Sequence, residues 1–326
     1  MKRGAFFLSL IVVSFPLIFM TWNTVRGESG YVGSEACKDC HEAYYNKFMK
    51  SVHGKKAVPG NPANREGCES CHGPGAQHVE KGGGRGVAII AFSKRMNPIE
   101  KSAKCMACHE ESKTLAFWNM NRHQFAGNSC DSCHSIHRGV EKLLVVSEPD
   151  LCFNCHRNIR AQANKQSHHP IKEAFVGRQA LTCSSCHNTM GGFGGSPVDS
   201  FSTRIGTGTD KMLRADSVNE LCFKCHAEKR GPFMWEHPPV EENCLICHEA
   251  HGSNHRKLLV SKVPLLCQNC HANEILHPSR PYTSLHSFTG PATSGKNKFF
   301  GRSCLNCHAN IHGSNGPGAR GQAFLR

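Results

Sequence analysis

The chain is 326 residues long, carries a formal net charge of +14 and contains 20 cysteines. With 8% aromatic residues and 31 glycines it cannot build a large apolar core from its own side chains, which excludes a conventional globular core of this length. A basic balance alone would suggest nucleic acid or an anionic surface, but the cysteine pattern gives the positive charge another use.

Residues 1–27 read as a secretory signal peptide. Lys2 and Arg3 form a basic start, Ala5 to Met20 an apolar run, and a cut after Gly27 leaves Val25 at the −3 position. The run is interrupted by Pro16 and is shorter than the ~20 residues of a spanning helix. No cysteine follows it closely enough for a lipid anchor, and nothing downstream resembles a membrane helix. The mature chain is expected in the periplasm.

All 20 cysteines then fall, in chain order, into ten C-x-x-C pairs, each followed at once by a histidine. These are Cys37, Cys40 and His41; Cys68, Cys71 and His72; Cys105, Cys108 and His109; Cys130, Cys133 and His134; Cys152, Cys155 and His156. After them come Cys183, Cys186 and His187; Cys222, Cys225 and His226; Cys244, Cys247 and His248; Cys267, Cys270 and His271; Cys304, Cys307 and His308. With 22 histidines in the chain, chance would place one after about 0.7 of ten pairs. Two cysteines three apart can both reach one porphyrin edge and add to its vinyl groups as thioethers, while the adjacent imidazole meets the iron. Zinc sites or a disulfide scaffold would leave the ten histidines unexplained. The expected cofactor is therefore haem c, ten copies, covalently bound. Their propionates would add roughly −20 and turn the lysines and arginines into counter-charges, so nucleic acid is not an expected partner.

Twelve histidines remain for the second axial position. The chain repeats: first cysteines four motifs apart are separated by 115, 115, 117, 114, 115 and 121 residues. In this register His53 maps onto His168, His123 onto His237, and His137 onto His251. With His78, His169, His277 and His312 these complete ten candidate distal ligands. His277 is chosen over His286 for its His-Pro context, and His255 is spare. The methionines show no repeat register. Bis-histidine ligation gives lower potentials than His/Met ligation.

Trp118 and Trp235 occupy matching places before His123 and His237 and are expected to pack on porphyrin faces. The glycine-rich segments 81–86 and 191–195 lack the ending of a phosphate loop and read as loops, the second as a joint. The expected fold class is mainly α with low secondary-structure content: short helices at the motifs, long loops, essentially no sheet, and an internal repeat. None of the ten motifs departs from C-x-x-C-H, so no catalytic residue is expected and the chain reads as an electron-transfer protein. A haem chain crossing a bilayer of about 40–45 Å would need a β-barrel sheath, because the chain offers no lipid-facing segment of its own.

The motifs, together with L-C-F-N-C-H-R-N-I-R (151–160), H-A-E-K-R-G-P-F-M-W-E-H-P-P-V-E-E-N-C (226–244) and R-S-C-L-N-C-H-A-N-I-H-G-S-N (302–315), resemble the MtrA/DmsE-type periplasmic decahaem cytochromes. The resemblance covers nearly the whole mature chain. It implies association with the outer membrane through a porin, with periplasmic electron carriers on one side and an extracellular multihaem cytochrome or reductase on the other. It also implies two pentahaem halves, 28–178 and 179–326. A freely diffusing periplasmic shuttle, or a reductase with one open haem, are the alternative readings.

Overall fold

The computed structural model describes residues 30–138, 141–171, 180–191, 212–271 and 303–325. The signal segment, the boundary at 178, residues 192–195 of the second glycine-rich segment, and the choice between His277 and His286 lie outside these residues.

The described chain is a succession of short helices, with isolated bridges as its only β pairing. Helix α1 (Ser34–Lys50) is the longest and holds the first motif in its first half; it kinks at His41, whose φ of −122° and ψ of 37° leave the helical region. Next come α2 (Glu69–His72), with most of the second motif, and α3 (Ala76–Glu80). Helix α4 (Pro98–His109) starts on Pro98, with Asn97 capping Ile99 N–H at 2.8 Å, and ends on the third motif. Proline there costs nothing, because its missing N–H would be an orphan in any case. Helices α5 (Arg122–Phe125), α6 (Cys130–Cys133), α7 (Asp150–Phe153), α8 (Arg157–Ala163), α9 (Cys183–Cys186), α10 (Val218–Phe223), α11 (Pro238–Glu242), α12 (Leu265–His271) and α13 (Gly318–Gln322) follow. Most motif helices last little over one turn, the length needed to bring two cysteines to one side.

Apolar burial is sparse, as the composition requires. Among the described residues Phe48, Trp118, Phe153 and Val218 are the buried hydrophobic side chains. Polar docking replaces a core. Within successive motif pairs, a residue just before the odd motif holds the start of the even one. Cys68 N–H donates to Ser34 Oγ at 3.0 Å, Cys244 N–H to Asn219 Oδ1 at 2.8 Å, and Ser184 N–H to Glu148 Oε2 at 2.9 Å. Lys101, on α4, meets Asp131 inside the fourth motif at 3.1 Å.

Glu69, between the cysteines of the second motif, is the most constrained of these groups at 2% exposure. Its carboxylate accepts from Val32 N–H at 3.0 Å, Gly33 N–H at 2.7 Å and Gly75 N–H at 2.7 Å, tying the start of α1 to α3. Glu69→Gln keeps the volume but points an amide donor at a backbone donor. The expected cost is about 1–3 kcal/mol, read as a lower denaturation midpoint at unchanged haem content.

Candidate functional site

Every cysteine is free of disulfides, so both thiols of each motif are available together. Neighbouring motifs meet through them. The first cysteines influence one another in pairs: Cys37 with Cys68, Cys105 with Cys130, Cys152 with Cys183, Cys222 with Cys244, and Cys267 with Cys304. The thiol pairs are unequal. The neighbouring Cys105 holds Cys130 down to about 7, and the neighbouring Cys222 does the same to Cys244, while Cys105 and Cys222 are themselves pushed up. Between these pairs the second cysteines are near enough to raise one another electrostatically: Cys71 is affected by Cys108, Cys133 by Cys155, Cys186 by Cys225, and Cys247 by Cys270. First-cysteine and second-cysteine couplings alternate, so the motifs form one series in sequence order.

The histidines form a second pattern. An imidazole nitrogen binds a transition metal at about 2.0–2.1 Å and lies little over ~1 Å from its ring centroid, so two axial imidazoles on one metal have centroids about 6.3 Å apart. Seven motif histidines face a second histidine at that separation. His41 and His78 are 6.4 Å apart, His72 and His137 6.3 Å, His109 and His53 6.0 Å, His156 and His123 6.1 Å. His187 and His251 are 6.1 Å apart, His248 and His312 6.2 Å, His271 and His237 6.3 Å. The rings are within 27° of parallel in five pairs; His53–His109 and His123–His156 are crossed at 76° and 83°. The repeat register survives in three dimensions: His123 and His237 face the fifth and ninth motifs, His137 and His251 the second and sixth. His134, His226 and His308 are not among these pairs, nor are His168, His169 and His255.

The ring nitrogens are prepared for metal. Nδ1 faces a backbone carbonyl in His72 (Ile90, 2.8 Å), His78 (Val87, 2.9 Å), His123 (Thr189, 3.1 Å), His134 (Lys142, 3.1 Å) and His168 (His169, 2.8 Å). The same holds for His169 (Ala250, 2.9 Å), His237 (Ile311, 3.1 Å), His248 (Lys257, 2.9 Å) and His308 (Ala323, 2.7 Å). A carbonyl accepts only, so Nδ1 carries the proton and Nε2 keeps its lone pair. Burial holds His53 and His137 below the ordinary histidine value; burial, reinforced by Lys229, pushes His312 down to about 4. These rings are therefore neutral donors at neutral pH. Paired thiols, an adjacent imidazole and a facing imidazole fit haem c at the seven paired motifs.

Sequence reasoning missed the element that supplies several of those carbonyls. After the fourth motif Ser135 N–H donates to Leu143 O at 2.7 Å and Val145 N–H to Cys133 O at 2.9 Å; after the eighth, Glu249 N–H donates to Leu258 O at 2.7 Å and Val260 N–H to Cys247 O at 3.0 Å. After the sixth, Asn188 N–H donates to Met212 O at 2.6 Å and Arg214 N–H to Cys186 O at 2.9 Å. Met212-Leu213-Arg214 is thus a third copy of Leu143-Leu144-Val145 and Leu258-Leu259-Val260. The shared leucine was the available signal. The device recurs every two motifs, a shorter unit than the four-motif period. Trp235 also has a role beyond packing, since its Nε1 donates to Gly316 O at 3.0 Å and anchors the C-terminal segment.

The doubled CXXCH motif family matches residues 123–161 and 237–275, the fourth with fifth and eighth with ninth motifs. The multihaem cytochrome MtrA of Shewanella baltica is 38% identical over 293 residues, 88% of this chain and 80% of that protein. The c-type cytochrome NrfB of Escherichia coli O6:H1 is 33% identical over 138 residues, 40% of this chain and 68% of that one. The C-type polyhaem cytochrome OmcC of Geobacter sulfurreducens is 28% identical over 238 residues, 63% of this chain and 28% of that one.

Proposed function

The chain belongs to the family of the multihaem c-type cytochrome MtrA, and from that premise we propose that it binds ten haems and carries electrons along them, through an outer-membrane porin, between periplasmic carriers and an extracellular cytochrome or reductase. The thiol series carries this reading. Because electrostatic coupling alternates between first and second cysteines from Cys37–Cys68 to Cys267–Cys304, each cofactor would sit near those of the motifs before and after it. The order of the conductor is then the order of the sequence.

Haem supplies a one-electron couple when bound. The chain's own residues do the rest. Each cysteine pair would hold a haem edge, and the motif histidine and its partner would supply the two axial nitrogens, so that no position would be left for a substrate. His168 falls to His226 by the register that relates it to His53, and His169 remains for His134. His277 or His286 is left for His308. The low-spin ferric EPR spectrum tests the pairing: the crossed sites at His109 and His156 are expected to give the most anisotropic signals, resolved from the five near-parallel sites. A spectrum without that minority class would contradict the pairing.

The conduit itself is tested by placing the protein with its candidate porin in liposomes that enclose a reduced dye. An external oxidant is expected to bleach the dye only when both proteins are present. Dye that stays reduced with both present would refute the conduit; bleaching by the cytochrome alone would refute the need for a sheath.

A further inference from the structure

The described chain holds seven non-glycine residues at positive φ: Ala88, Lys142, Leu143, Met212, Lys257, Leu258 and Phe324. All seven lie in the segments that return to the second, fourth, sixth, eighth and tenth motifs. None belongs to an odd motif. A left-handed L-residue costs about 1–2 kcal/mol, and the fourth and eighth motifs each bear two in succession. Such outliers persist where the surroundings over-determine them and concentrate at functional positions.

What the strained backbone does is specific. With Lys142 at φ 56° and Leu143 at 55°, the Lys142 carbonyl turns to His134 Nδ1 while the Leu143 carbonyl takes Ser135 N–H. With Lys257 at 59° and Leu258 at 58°, successive carbonyls likewise reach His248 Nδ1 and Glu249 N–H. At the last motif the Ala323 carbonyl meets His308 Nδ1 and the Phe324 carbonyl takes Asn310 N–H. Extended residues would send successive carbonyls to opposite sides, and only one could reach the motif. By contrast the imidazole rings of His41, His109 and His156 make no hydrogen bond to a carbonyl among the described residues.

We propose that these left-handed clips are positioning devices for the even-numbered sites: each holds its motif imidazole as the Nδ1–H tautomer, fixes its rotation and raises its basicity, so that the haem there sits at a lower potential than it would with the clip broken. A more basic axial imidazole favours the ferric state. This rests on the motif histidines being axial ligands.

Leu258→Ile tests it. Isoleucine keeps the volume but is a genuine outlier at positive φ, whereas Leu258→Gly accepts that backbone freely. In a spectroelectrochemical titration of the full protein, Leu258→Ile is expected to move one haem's share of the absorbance to higher potential, with haem content unchanged. Leu258→Gly should superimpose on wild type. If Leu258→Ile lowers only the melting temperature, the clip is merely structural and the proposal fails. A second measurement needs no variant. In reduced, 15N-histidine-labelled wild type, Nδ1–H exchange should be slower at His134 and His248 than at His41, His109 and His156; equal rates would overturn the proposal. A five-coordinate, high-spin signal at the eighth motif of wild type would instead overturn the ligand assignment beneath it.

Discussion

Replacing His137 by alanine is expected to open one iron: the reduced variant should bind one equivalent of carbon monoxide where the wild type binds none, and its ferric form should gain a high-spin signal. His137 sits 6.3 Å from His72, centroid to centroid, and is the ring opposite it. It comes from beyond the fourth motif, so the second site is closed by a segment far along the chain. The same ring stands edge-on to Tyr44 of α1 at 5.1 Å. His137→Ala therefore removes an axial bond and a tie between α1 and the fourth motif together, and loss of a metal bond belongs to the small class of substitutions costing above about 4 kcal/mol. His137→Met should restore a six-coordinate iron at higher potential. His255→Ala is the control: the sequence left His255 spare, the ring pairs do not include it, and no carbon monoxide should bind. A wild-type result for His137→Ala would show that His72 takes its second ligand elsewhere.

The legibility of this molecule in its sequence was uneven for physical reasons. The cysteine pair and the adjacent histidine are local: five consecutive residues hold Cys37, Cys40 and His41, so ten motifs could be read without any tertiary information. The facing histidines are not local, yet the repeat carried them, since His123 and His237 each face a motif histidine at a fixed spacing. What spacing could not reveal was which site each serves. That depends on how segments cross, as when His137 closes a site two motifs back while His53 closes the next motif but one ahead. His78 and His312, which have no repeat counterpart, could be chosen as ligands but not placed. The clips were harder still. Lys142-Leu143 and Lys257-Leu258 look like ordinary strand residues, and only the backbone shows that their carbonyls turn back on the motif. The third clip, at Met212, was hidden because arginine replaces valine at 214, although the backbone N–H that returns to the motif is present with either side chain, and Arg214 Nε adds a bond to His187 O at 3.3 Å.

Gly252→Ala is expected to be as damaging as losing a ligand, although Gly252 touches no metal. Its φ is +151°, and a Cβ there would lie 2.1 Å from Gln162 O and 2.9 Å from Gln162 C, both backbone atoms at the end of α8 that cannot swing aside. The residue is flanked by two of the tightest joints in the chain. On one side His251 faces His187 at 6.1 Å. On the other, Ser253 pairs with Ser167 in both directions, at 2.9 and 2.8 Å, and its hydroxyl donates to Leu259 O in the clip of the eighth motif. The Ser167 hydroxyl in turn accepts from Leu258 N–H at 3.0 Å. Making room for one methyl group must push this segment away from α8, so His251 would lift from the sixth site as the Ser167–Ser253 pairing breaks. The expected loss exceeds about 3 kcal/mol, with one carbon-monoxide-reactive haem appearing in the reduced protein. Gly82→Ala separates steric conflict from backbone preference: its φ is +73°, but nothing lies within 4 Å of the added Cβ, so it should cost only the about 1–2 kcal/mol of a left-handed alanine and open no iron. If Gly252→Ala were as mild as Gly82→Ala, the contact between α8 and the segment after the eighth motif could not be what seats His251.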